Sequence, residues 1–292
     1  MIVINANIIT AANQNYDNGY IRVKNGKITE IGEMSGKLKL MEDETVYDAK
    51  GMLVLPGFID IHTHLGMCED ALGFEGDDIN EDADPSTPHL RAIDAINPYD
   101  RCFADALSAG ITTVVTGPGS ANAIGGQMVA IKTRSKRVDD MIVKAPVSIK
   151  FAFGENPKTV YNEKHQSPIT RMATAGIMRE QLFKAKKYMQ DMQKAQIDDE
   201  VDEPEFDIKC EALIPLLKKE VKAHIHAHRA DDIFTAIRIA KEFDIDIVII
   251  HATEGHLIAN DLQKENISVV SGPFLCDRSK PELRNLDPKS AG

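Results

Sequence analysis

Residues 56–66 read PGFIDIHTHLG, and at this point the chain changes its rhythm. Pro56-Gly57 ends one pattern, Phe58–Ile61 is a short apolar-rich run, and His62 and His64 stand two apart at its end. On a β-strand residues i and i+2 point to the same side, so both imidazoles converge on one place. Neutral imidazole nitrogen binds zinc at about 2.0–2.1 Å. An isolated His-x-His pair is a weak signal; its place at the end of the first of several similar strands gives it weight.

Before this stretch, residues 1–55 read as short strands joined by tight turns. Met1–Thr10 alternates, Tyr20–Lys24 and Lys27–Ile31 flank Asn25-Gly26, and Thr45–Leu55 leads into Pro56. Asn-Gly between two such runs predicts a type I′ hairpin, whose turn residues both take positive φ. After it, apolar runs at Phe58–Ile61, Ile111–Thr116, Val147–Phe153, Ala223–Ile225, Ile245–Ile250 and Ile267–Ser271 alternate with helical patterns at Tyr99–Ala109, Gly176–Gln196, Asp231–Phe243 and Gly255–Glu265. Such alternation predicts an α/β fold with a parallel sheet covered by helices, most economically a TIM-type (β/α)8 barrel. Gln127–Thr133 and Asp140–Phe153 read either as two strands or as a hairpin plus one. Expected domains are a β-subdomain over 1–55 and the barrel over 56–292.

Two further strands end in histidine. KAHIHAHRADDI places His224, His226 and His228 on one strand parity, and DIVIIHATEGH places His251 at a strand end with His256 in the following turn. Any one of them is most simply a buried side chain with a satisfied hydrogen bond. Three strands ending this way are not explained so. His224 is expected deeper in the barrel, and His89 and His165 at the surface. Lys150 sits inside the apolar run Val147–Phe153, where an unpaired ammonium is costly; the competing reading is a lysine reaching solvent or pairing with Glu155. GPGSANAIGG (Gly117–Gly126) is either a tight loop needing positive φ or a set of backbone N–H groups, at Gly119 and Ser120, holding a substrate carboxylate. Arg229 pairs with such a carboxylate or with Asp231 or Asp232. The acidic segment Glu69–Asp84 follows the first barrel strand and either lines the site or is solvated, whereas Asp198–Asp207 reads as a solvated loop joining two helices.

In combination, PGFIDIHTH, AGITTVVTGPGSANAIGGQ, SIKFAFGENPK, HIHAHRADDI and IIHATEGH resemble the amidohydrolase superfamily, most closely its imidazolonepropionase-like branch of metal-dependent amidases and peptidases. The resemblance covers nearly the whole chain. It implies a barrel with an attached β-sandwich subdomain and one or two zinc ions held by His62, His64, His226 and His251. Lys150, carboxylated on its amine, or alternatively Glu155, would bridge two ions. His228 and Arg229, with Gly119 and Ser120, would meet the substrate, and Lys150, Glu155 and His251 would serve the chemistry. Zinc lowers the pKa of a bound water to about 7 and polarises a carbonyl, so the implied activity is hydrolysis of a carbon–nitrogen bond in an amide, cyclic amide or dipeptide. A deaminase of the same superfamily and a non-catalytic metal-binding barrel fragment are the alternatives.

The family's last ligand is an aspartate ending strand eight. Here Ile267–Ser271 reads as strand seven, and only Asp277 and Asp287 follow, in a turn-rich segment. The expectation is therefore a barrel truncated before strand eight, also lacking the C-terminal strands of the sandwich, with weak catalysis at most. A neighbouring chain completing the fold, or a degenerate product, would also account for it.

Composition agrees with a globular protein. The 292 residues are 43% apolar and carry a net charge of 34 − 45 = −11, which argues against nucleic acid or an anionic membrane as partner. The partner expected is a small molecule, and an incomplete barrel favours a homo-oligomer. Cys68, Cys102, Cys210 and Cys276 form no CxxC pair and read as thiols of a reducing compartment. With no signal peptide and no apolar run of about 20 residues, a cytoplasmic location is expected.

Overall fold

A computed structural model describes residues 1–12, 14–35, 38–69, 72–273 and Glu282. Its contacts divide the chain into two units, Met1–Phe58 and Ile59–Gly292. Asp277, Asp287 and Cys276 lie outside the described residues.

In the first unit β1 (Ile2–Ile8), β2 (Tyr16–Lys24), β3 (Lys27–Glu33), β4 (Val46–Asp48) and β5 (Leu53–Val54) form one sheet in the order β3-β2-β1-β4, with β5 also on β1. The β2–β3 hairpin turns at Asn25 (φ 52°) and Gly26 (φ 70°), pairing Lys24 with Lys27. These are the positive φ angles that Asn-Gly predicts. Ala6, Ile8, Ile21 and Ala49 make a small core on this sheet. The expected sandwich would need a second sheet, which the described residues of this unit do not contain.

The second unit runs β6 (Phe58–Thr63), α1 (Arg101–Ser108), β7 (Ile111–Thr116), β8 (Ile124–Lys132), β9 (Ile142–Ala152), α2 (Glu155–Glu163), α3 (Arg171–Ile197), α4 (Ile208–Leu217), β10 (Lys222–Ala227), α5 (Ala230–Phe243), β11 (Ile247–His251), α6 (Ala259–Lys264) and β12 (Ser268–Ser271). Its seven strands lie in sequence order in one sheet. Strands β9 to β12 are parallel neighbours, as expected, but β8 is antiparallel to both β7 and β9. The sheet is thus mixed. The cause is chain length: only Gly117–Ala123 separates β7 from β8, and a parallel crossover needs a dozen or more residues.

Helix starts follow local caps. The Asp100 carboxylate accepts the Cys102 N–H at 3.0 Å to open α1, and Thr170 Oγ1 accepts the Ala173 N–H at 3.0 Å to open α3, five residues before the expected Gly176. Such side chains satisfy donors that the first helical turn leaves unpaired. Where one helix was expected at Gly255–Glu265, a 3-10 turn at Gly255–Ile258 precedes the short α6.

Alternation along the strands makes the core. Ile149, Phe151 and Phe153, Ala223, Ile225 and Ala227, and Ile247 and Ile249 are buried against Met178 and Leu182 of α3, Leu213 of α4, and Ile233, Ile237 and Phe243 of α5. With period two, the intervening residues belong to the other face. That face carries Ser148, Lys150 and Ala152 of β9, and His224 and His226 of β10. No helix among the described residues is long and apolar enough to cross a membrane.

Candidate metal centre

Five histidine rings gather on the face opposite the helices. His62, at the end of β6, lies 5.4 Å (ring centroids) from His64 and 5.4 Å from His251; His226 lies 4.6 Å from His251 and 4.8 Å from His228. His228 stacks on His251 at 4.9 Å with an interplanar angle of 10°. Five strand-to-strand steps separate β6 from β11 in the sheet, about 24 Å in a flat sheet at 4.8 Å per step. The contact between His62 and His251 therefore requires the sheet to roll strongly upon itself.

Register sets the floor of the cluster. Lys150 of β9 pairs with His224 of β10, one alternation below His226. Lys150 is fully buried, and its Nζ lies 3.4 Å from His62 Nε2. The backbone, not the side chains, fixes the tautomers: His64 Nδ1 donates to Gly117 O at 2.7 Å, and His251 Nδ1 donates to Gly272 O at 2.7 Å. A carbonyl can only accept, so Nε2 of both rings carries the lone pair. His228 Nδ1 is engaged by Thr253 Oγ1 at 2.8 Å. Such outer partners orient imidazole ligands in metal sites.

His251 reaches the cluster by breaking the strand's alternation. It pairs in register with Ala227, which faces the helices, so regular geometry would send its ring that way too. Its φ of 72°, followed by 45° at Ala252, turns it instead. A non-glycine residue in this region costs about 1–3 kcal/mol, and such strain collects at functional sites.

The electrostatics favour neutral imidazoles. Burial is the chief cause holding His62 and His64 below the usual histidine range, and it takes His224 down to about 4, with the Lys150 charge acting in the same direction. Neutral rings are what a cation requires. His226, His228 and His251 offer ligand atoms all within 4.8 Å of one another. An ion bound at about 2.0–2.1 Å to each nitrogen needs a spacing of roughly 3.4 Å in a tetrahedron, a closure of an ångström or so. The donor set fits zinc.

Several sequence-based assignments are redirected. His228, expected to meet substrate, stands among the ligand candidates. Glu155 turns its carboxylate to the Glu282 N–H, at 2.9 Å from Oε2. Of the two bridging candidates, only Lys150 contacts an imidazole of the cluster. Arg229 forms two bonds with Asp231, Nε–Oδ1 at 2.9 Å and Nη2–Oδ2 at 2.6 Å, which is the salt-bridge reading rather than the substrate one. The Gly119 N–H is taken by Ile79 O at 2.9 Å and the Ala121 N–H by Asn80 Oδ1 at 3.1 Å, so these two amides are not held out for a carboxylate. Ser120 is half-buried beside them. Nor does the loop use positive φ. Gly119 is required by close approach, since a Cβ there would lie 2.5 Å from the side chains of Ile79 and Asn80.

The acidic segment thus packs on the glycine-rich loop. Together they line a cavity of about 450 Å³ that includes Asp77, Asp78, Glu81, Asp82, Pro118 and Gly125. Sequence reasoning missed Asn156, whose Nδ2 lies 3.3 Å from His226 Nε2. Its position, directly after a glycine-led turn closing β9, was the available signal.

This α/β fold carries a buried imidazole cluster at its strand ends that could hold a metal ion, and known proteins share the fold. A crystal structure of an amidohydrolase from Thermotoga maritima MSB8 matches at a TM-score of 0.92 and 43% identity, over 98% of this chain and 73% of that one. The chain belongs to the amidohydrolase superfamily. Amidohydrolase tasK of Hapsidospora irregularis is 29% identical over 269 residues, 84% of this chain and 27% of that protein. A 5′-deoxyadenosine deaminase of Methanosarcina barkeri is 41% identical over 69 residues, 23% of this chain and 15% of that one. The chain therefore spans only about a quarter, or less, of these curated relatives. No family model matches it.

Proposed function

We propose that the protein is a zinc-dependent hydrolase of a carbon–nitrogen bond in a small amide, cyclic amide or dipeptide-like substrate, of the imidazolonepropionase-like branch. In this reading residues 56–292 are the catalytic region, built on a TIM-type barrel plan with β8 reversed. The observation that carries it is the convergence of His226, His228 and His251 with His62 and His64.

His62, His64, His226 and His251 would hold the ion or ions, with His228 a further ligand or neighbour. Lys150, converted to its carbamate, would add oxygen donors beside His62. A bound divalent ion supplies an activated water and a Lewis acid for the substrate carbonyl. The chain's own contribution is orientation. Gly117 and Gly272 carbonyls hold Nδ1–H of His64 and His251, so that neither ring can turn its lone pair away. Burial holds His62 and His64 below the usual histidine range, and Asn156 places an amide beside His226, where it would bind a substrate oxygen.

The deaminase relative supports a second reading, release of ammonia from the same centre. Zinc content and turnover separate the readings. The expected result is one to two zinc per chain, reduced substantially in His62→Ala and His226→Ala, with hydrolysis of at least one member of an amide and lactam panel. Ammonia as the sole nitrogen product from an aminated heterocycle would favour the deaminase. Unchanged zinc content in both variants would remove the ligand assignment and the hydrolase reading with it.

A further inference from the structure

A second cluster of ionisable groups lies just behind Asn156. Glu282 is 3% exposed at its side chain, and its Oε1 accepts both the Glu155 N–H at 2.8 Å and Arg171 Nη2 at 3.0 Å. Its own N–H donates to Glu155 Oε2 at 2.9 Å. Glutamate and helix start thus hold each other reciprocally, as in a capping box, although they are 127 residues apart. Arg171 continues the chain of contacts, with its Nε at 2.9 Å from Oδ1 of Asp232, which is itself 2% exposed. The groups facing Glu282 are Glu155 from α2, Arg171 from α3 and Asp232 from α5.

The seat is shaped for this carboxyl. Gly154, between β9 and α2, has φ +85°, and a Cβ there would fall 2.3 Å from Glu282 Oε1. No side chain fits at 154 while the carboxyl is docked. Glu155 begins α2, and Asn156, the next residue, reaches His226. Phe153 N, on the other side of Gly154, donates to His226 O at 2.9 Å. The turn that Glu282 clamps is therefore tied at both ends to one proposed ligand.

We propose that Glu282 is a positioning residue: its buried carboxyl, lodged at Gly154, fixes the first turn of α2 and with it the placement of Asn156 at His226. The catalytic consequence rests on the hydrolase reading; the clamp itself does not. Two carboxylates share Arg171 here with Glu155 as a third beside them, and burial, aided by Glu155 and Asp232, raises Glu282 to about 7 against an ordinary 4.5. The docked form thus binds more protons than the released form between about pH 4.5 and 7, so docking weakens as pH rises through that window.

Hydrogen exchange at the Gly154, Glu155 and Asn156 amides of the full chain, corrected for intrinsic rates, tests this at pH 5.5 and 8. In the parent, protection should fall across the interval. Glu282→Gln, permanently neutral and still an acceptor, should stay protected at both pH values. Glu282→Ala should exchange about tenfold faster at pH 5.5, the effect of losing one or two hydrogen bonds. A Glu282→Gln profile that follows the parent's pH dependence overturns the proposal, and that variant decides the matter if Glu282→Ala fails to fold.

On whichever amide the parent hydrolyses, Glu282→Ala should lower kcat about tenfold with KM and zinc content kept, and Glu282→Gln should restore it. Equal kcat in all three would leave a clamp without a positioning role and overturn the catalytic half. A parent that turns over no amide would refute the hydrolase reading, while the exchange result would still decide whether the clamp exists.

Discussion

His251 shows how much one backbone angle can contribute to a site. Its register partner faces the helices, yet its ring stacks on His228, because φ at 72° redirects it. This conformation is tolerated better by asparagine than by histidine. His251→Asn is therefore expected to melt, without zinc, within about 1 kcal/mol of the parent, since relieved strain offsets the lost bond to Gly272 O. The rise in melting temperature that zinc confers should disappear. Calorimetry with and without the metal checks both; a zinc increment as large as the parent's would exclude His251 from the ligand set.

The ring's arrival at the cluster was legible in sequence only as a histidine at a strand end. Its route was not, because period-two reasoning assigns it to the opposite face. For His62 and His64 parity gave the shared side; Lys150 and His226 were singled out by the family resemblance, since parity alone groups His226 with His224 and His228. His228 was visible on the same parity but was assigned to substrate, because the step beyond β10 carries no periodic information.

At the scale of elements, apolar runs located most of β6 to β12; those of β7, β10 and β11 are buried over most of their length and have no polar face to obscure them. Orientation was harder. Gln127–Thr133 and Asp140–Phe153 read either as two strands or as a hairpin plus one, and only the seven-residue link after β7 dictates the return. The missed α2 begins directly after Gly154, a residue that reads as a breaker, while the early start of α3 was written in Thr170. Neither start involves an apolar pattern.

The glycine-rich loop illustrates a different limit: its glycines are required by neighbours distant in sequence. Gly119→Val would drive a branched side chain into Ile79 and Asn80, and should cost about 1–3 kcal/mol by overpacking. Urea denaturation would show it as a lowered midpoint with an unchanged slope. A change under about 0.5 kcal/mol would mean that the acidic segment is not pinned where it is described.

For the molecule as a whole, composition and charge spoke against nucleic acid and anionic membranes but did not choose a substrate. That choice depends on surfaces assembled from remote segments, such as the cavity where residues 77–82 meet Pro118 and Gly125. The division near residue 58 coincides with Pro56-Gly57, so the punctuation that opened the reading also marks where one set of contacts gives way to the next.

The proposed ligands run from His62 to His251, nearly the span of the second unit, and no two neighbouring strands supply all of them. β10 and β11 bring His226, His228 and His251 together as neighbours, but a cation finds the full set with His62 and His64 only when the sheet has rolled up, because closing loops of this length is entropically costly before native contacts form. In zinc fingers the metal organises the chain; here it would arrive last and act as a lock. Refolding rates from urea should accordingly be the same with zinc or with chelator, while unfolding slows with zinc, the mark of contacts made only after the folding barrier. Stopped-flow chevrons would show this, and a zinc-accelerated folding limb would instead mean that the metal seeds the fold.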